Sequence, residues 1–136
     1  MVVMAVRTKS PDNKTIFPLY VVFGKNRRLV IDTVGQITDM VIGQDDPQLA
    51  LSNYDGTNAG LADVLTDLRT LPFLSQRRLV IVKGADNFIS NYRTELESYL
   101  QTPARSGVLL MTADSFPGNT RLAKIAKKIG KVFDCG

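Results

Sequence analysis

The sequence contains no histidine and one cysteine, Cys135. A lone thiol cannot build an internal disulfide framework, and it suits a reducing, cytoplasmic setting. Without imidazole, a zinc site of the usual Cys/His kind cannot be assembled. The Ser-His-Asp and Cys-His nucleophile arrangements are excluded for the same reason. Long apolar runs are missing too. None approaches the roughly 18 to 20 residues that span a bilayer, so no membrane partner is expected. The apolar start, Met1 to Val6, is too short for a signal peptide and lacks a small-residue cleavage pattern.

What is present suits one globular domain. The 136 residues are 44% hydrophobic and 22% charged, enough to bury a proper core and unlike a disordered chain. Seventeen basic side chains stand against 13 acidic ones, a net charge of +4. That excess permits an anionic partner, and a solvated surface explains it equally well.

The polar stretch over residues 7–15 reads as flexible, so 1–16 is expected to be a flexible segment and 17–136 the folded domain. Residues 17–23 are almost continuously apolar and end at Gly24, as a strand buried on both faces should be. Val30, Val34, Ile37 and Val41 then form one helical stripe over 27–42. Asp45-Asp46-Pro47 is expected to break that helix, and 49–54 reads as a second, weaker strand. Leu61, Val64, Leu65, Leu68 and Leu71 follow at helical spacing, with Asn58 as the expected N-cap and Pro72 as the stop.

The third strand is Leu79-Val80-Ile81-Val82. Asp86 or Asn87 is expected to cap the next helix, whose apolar side carries Phe88, Tyr92, Leu96, Tyr99 and Leu100. Val108-Leu109-Leu110-Met111 is the fourth strand. Asn119 is expected to cap a last helix with Leu122, Ile125, Ala126 and Ile129 on one side and Arg121, Lys124, Lys127, Lys128 and Lys131 largely elsewhere. Gly130 occupies the position of a C′ glycine, and 131–135 is a short fifth strand. The alternation predicts an α/β fold: a five-stranded parallel sheet with helices on both faces. Because the chain stops just after that last strand, it is expected to be a piece of a longer protein.

In such folds ligands bind at the carboxyl ends of the strands. The first strand-to-helix turn reads Phe23-Gly24-Lys25-Asn26-Arg27-Arg28. A working phosphate loop needs several glycines, so that backbone N–H groups converge on the phosphates. It also needs a lysine followed by a hydroxyl residue to hold magnesium. Gly24 and Lys25 supply two letters of that pattern, whereas Asn26 stands where the hydroxyl belongs and the upstream glycine is absent. No functional nucleotide loop, no cofactor and no catalytic residue are therefore expected. Asp86 comes late for a metal-holding carboxylate. Asp45-Asp46 is most simply a loop pair, and Asp114 ends a strand without an identifiable partner.

The least ordinary stretch is Leu71-Pro72-Phe73-Leu74-Ser75-Gln76-Arg77-Arg78. Connections run over the surface, so apolar residues there either tuck back onto the domain or face a partner. Arg77 and Arg78 either flank such a contact or are simply solvated at the strand's edge.

The first strand Leu19-Tyr20-Val21-Val22-Phe23-Gly24, the central block from Leu68 to Val82, the run Val108-Leu109-Leu110 and the close Lys131-Val132-Phe133-Asp134-Cys135 together resemble a known family. It is the N-terminal domain of the delta subunit of bacterial DNA polymerase III, a clamp-loader subunit. The likeness covers roughly residues 17 to 135, and the central block is its most specific part. Acidic residues often follow the first glycine in that family. Here Lys25-Asn26-Arg27-Arg28 stand there, and the polar N-terminal extension also departs from it.

The resemblance implies a P-loop NTPase fold of the AAA+ kind without a functional Walker A motif. It implies the sliding clamp (beta subunit) and other loader subunits as direct partners, with primed DNA engaged indirectly. It places the clamp contact on Phe73 and Leu74, with Leu71, Pro72, Arg77 and Arg78 in support. Catalysis would belong to the DNA-directed DNA polymerase holoenzyme rather than to this domain. Two rival readings of the residues are a nucleotide-binding ATPase and a module that binds DNA through the lysines of the last helix.

Overall fold

The computed structural model describes residues 16–72 and 74–136. Leu19–Phe23 forms β1, with its first four side chains buried, because helices cover both of its faces. The chain continues as α1 (Arg27–Ile42), α2 (Pro47–Ala50), β2 (Leu51–Asp55), α3 (Leu61–Arg69) and β3 (Arg78–Lys83). It ends with α4 (Asp86–Gln101), β4 (Gly107–Ala113), α5 (Arg121–Ile129) and β5 (Lys131–Asp134). The five strands form one sheet in the order β2-β3-β4-β1-β5, and every neighbouring pair is parallel.

Alternation along the strands divides the core in two. Leu19, Val21, Val80, Val82, Leu109 and Met111 pack under α3, α4 and α5, which contribute Val64, Leu68, Phe88, Leu96, Leu122 and Ala126. Tyr20, Val22, Leu79, Ile81, Val108 and Leu110 pack under α1 through Ile37 and Val41, with Val30 and Val34 half-buried beside them. The expected sheet and two-sided helix cover are thus present. β4 has seven buried residues in a row, whereas edge strand β2 has none.

The helix ends differ from expectation. Asp46-Pro47 does not simply break the chain: Asp46 accepts from Gln48 N and caps α2, with Pro47 in its first turn. The second strand therefore begins at Leu51, not Leu49. Proline has no N–H to lose in a first turn, which makes it a helix starter there.

Asn58 does not cap α3. Its N–H bonds the Asp55 carbonyl in a turn, and Gly60 takes the N-cap position without a side-chain bond. Neither Asp86 nor Asn87 caps α4. Ala85 stands at the cap, and Asp86 is the first helical residue. Thr120, not Asn119, caps α5 by accepting from Ala123 N.

Gly130 ends α5, but its φ of −136° is extended, not left-handed. It is glycine for a different reason: a Cβ there would overlap the Leu19 carbonyl oxygen. The end of α5 lies directly on β1, and only hydrogen fits between them.

Candidate functional site

Two regions stand out: the turn between α3 and β3, and the cleft at the carboxyl ends of the strands. α3 stops at Arg69, where the Thr70 hydroxyl donates to the Thr66 carbonyl at 2.6 Å and its N–H to Asp67 O. Leu71, expected on the apolar stripe of α3, lies beyond the helix and is 82% exposed. Leu74 is 73% exposed. Phe73 lies outside the described residues. Leu71 and Leu74 therefore do not tuck back onto the domain.

Leu74 has φ of +61° and is the one non-glycine residue at positive φ among the described residues. A left-handed leucine costs roughly 1–2 kcal/mol, so the surrounding structure must hold it there. Ser75 Oγ donates to the Arg77 carbonyl at 3.2 Å. The Gln76 N–H donates to the Asp45 carboxylate at 3.2 Å. Asp45, read from the sequence as a solvated loop residue, thus anchors the far side of the turn.

Arg78 anchors the turn from within. Its Nε donates to the Asp67 carboxylate, Nη1 to the Leu49 carbonyl at 3.1 Å and Nη2 to Ser52 Oγ at 3.1 Å. The pair is largely shielded, with side chains 23% and 12% exposed. Tyr54 donates its hydroxyl to the same Asp67 carboxylate at 2.9 Å. Burial alone would raise the Asp67 carboxyl; hydrogen bonds from Ser52, Arg78 and Tyr54 outweigh it and hold it below the usual carboxylate value. Desolvation and the adjacent Asp67 push the Tyr54 hydroxyl up to about 12.

Arg78 therefore spends its donors inside the domain, joining α2, β2 and α3 to β3. Arg77, just before β3, is half-buried. Nothing in sequence spacing pairs residue 67 with residue 78. The only sequence signal is an arginine opening an otherwise apolar strand.

The cleft is a cavity of about 530 Å³ lined by Gly24, Lys25, Arg27, Lys83, Thr112 and Asp114 among others. At its mouth Asn26 accepts from Leu29 N at 3.1 Å as the cap of α1, and its N–H donates to the Cys135 carbonyl at 3.1 Å. Gly24 has φ of +135°, and a Cβ there would strike the Cys135 main chain. Thr112 Oγ1 accepts from Gly84 N at 2.9 Å. Asp86 accepts from Asp114 N at 3.0 Å and Ser115 N at 3.4 Å. Its carboxylate is thus occupied in tying the end of β4 to the start of α4. Asp114 shares the cleft with Lys25, Arg27 and Lys83.

The family model described as DNA polymerase III, delta subunit, matches residues 20–136. The chain belongs to the DNA polymerase III delta subunit family. It is 32% identical over 130 residues to the DNA polymerase III subunit delta of Bacillus subtilis, a match that covers 88% of this chain and 38% of that protein. Its structure resembles the Bacillus subtilis DNA clamp loader delta protein with a TM-score of 0.75 and 30% identity. That match also covers 88% of this chain and 38% of the other. The chain thus spans 38% of the length of the delta subunit it matches. Among the described residues, no helix of this family member is long and apolar enough to cross a membrane.

Proposed function

We propose that this chain is the clamp-binding portion of a clamp-loader delta subunit, and that it acts by binding rather than by catalysis. The observation that carries the proposal is the exposed turn. A member of the delta family presents Leu71 and Leu74 to solvent from a connection braced on both sides. Phe73 and Leu74 are the residues assigned to enter an apolar pocket of the sliding clamp. Each such side chain, once buried, contributes on the order of 1.5–3 kcal/mol. Two adjacent anchors suffice for a hot spot.

The fold assignment is of the AAA+ kind with a degenerate nucleotide loop. Three features support it: the parallel order β2-β3-β4-β1-β5, the capping role of Asn26 and the packing of Gly24 on Cys135. Catalysis and ATP turnover then belong to other subunits. Binding favours an open ring only by the difference in affinity between open and closed clamp.

The test is binding of the full-length protein to the sliding clamp of the same cell. Phe73→Ala with Leu74→Ala should abolish binding while thermal unfolding stays cooperative. Unchanged binding in that double variant would remove the assignment. Saturable ATP binding by calorimetry at the cleft of Lys25, Arg27 and Lys83 would favour the rival ATPase reading.

A further inference from the structure

Beside the exposed turn, at the amino ends of the central strands, lies a second feature. A small cavity of about 200 Å³ is floored by Ile16, Phe17, Pro18 and Pro103 and flanked by Arg77 and Arg105. Register places the two arginines together: Arg78 pairs with Gly107, and Arg78 N donates to the Ser106 carbonyl at 2.8 Å. Lys131, at the start of β5, sets its Nζ 5.4 Å from the centre of the Phe17 ring. Two cations thus flank the apolar floor, and a third lies over one of the rings that form it. Among the described residues the ion pairs are Arg28 with Asp32 and Arg78 with Asp67, so none of the three meets a carboxylate there.

We infer that this cavity is a second contact for the protein that receives Leu74, taking one apolar side chain with a carboxylate beside it. The inference rests on the binding role given to the turn, and continuity supplies the link. Arg77 belongs to the same connection as Leu74, so a surface seated on one reaches the other. The chemistry distinguishes the occupant. A phosphate backbone would use the cations but has no use for an apolar floor sized for one side chain, whereas a protein surface offering an apolar side chain beside a carboxylate uses both. Asp45 and Asp46 lie on the α2 side of the turn, so the charges flanking it differ in sign. That asymmetry gives a partner a single orientation, which is the main effect of charge at an interface.

The experiment uses the full-length protein and the sliding clamp as probe, with affinity followed over a salt series. Arg77→Gln with Arg105→Gln should bind roughly three- to tenfold more weakly at low salt and show a flatter salt dependence. Arg105→Lys keeps the charge and should retain the wild-type slope, which separates lost charge from lost structure. Wild-type affinity and slope in the glutamine variant would overturn the inference. So would loss of duplex DNA binding with clamp binding unchanged, since the cations would then form a nucleic-acid site. Leu74→Ala is judged separately: it should weaken binding and leave the slope intact. Normal affinity there removes the turn's role but not that of the cations, which the slope still decides. A wild-type protein that does not bind the clamp overturns both.

Discussion

Arg78, the first residue of β3, reaches back across the turn to the Asp67 carboxylate on α3. This bond closes the connection that carries Leu71 and Leu74, so the shape of an exposed surface depends on a shielded ion pair. Leu49 and Ser52 each accept from one terminal nitrogen of the same guanidinium.

Removing one partner should therefore cost more than a surface pair would. Arg78→Ala leaves the Asp67 carboxylate without its cation, and a loss of about 2 kcal/mol is expected. Urea denaturation measures it. Clamp affinity should fall in the same variant although Leu74 is intact, because the turn loses its inner anchor. An unchanged unfolding midpoint would show that the cluster carries no stability.

The same cluster predicts how stability depends on pH. Asp67 lies below its ordinary value in the folded state, so its contribution is fully present above the unfolded carboxylate pKa of about 3.9. It is lost as pH falls through the folded value. Tyr54 is raised to about 12, so its contribution is complete below the unfolded tyrosine value of about 10 and lost as pH rises between the two. Thermal midpoints of Asp67→Asn should show a shallower acid limb than wild type. Those of Tyr54→Phe should show a shallower limb at alkaline pH.

Leu74 offers a separation of stability from function. At φ of +61° glycine is unstrained, and Leu74→Gly should be neutral or stabilising by up to about 1 kcal/mol, the relieved strain being offset by greater freedom of the unfolded chain. Clamp binding should nevertheless weaken. Differential scanning calorimetry and a binding assay on the same sample decide it. A clear loss of thermal stability would mean that the side chain packs on the domain.

Gly130 tests why a glycine stands at a helix end. A left-handed cap would accept asparagine with little loss. Contact with the Leu19 carbonyl predicts that Gly130→Ala and Gly130→Asn both destabilise, by roughly 1–3 kcal/mol. Chemical denaturation of the two variants distinguishes the cases.

The pattern of apolar residues determined the elements and their alternation. All five strands and the apolar stripe of α1 follow from the length and spacing of the apolar runs, with the second strand starting two residues later than its run suggests. The unusual composition of Leu71-Pro72-Phe73-Leu74 was also legible, since large apolar residues after a helix-stopping proline stand out in any reading. Whether Leu71 and Leu74 face inward was not. That depends on Asp45 and Arg78, which approach the turn from 31 positions before Gln76 and 11 positions after Asp67. Tertiary structure likewise chose the caps: Asn58 is held in a turn by the Asp55 carbonyl, and Thr120 rather than its equally able neighbour Asn119 caps α5. It also decided the purpose of Gly130. Local sequence encodes torsional preference and period, whereas close approach between distant backbones exists only once the sheet has formed.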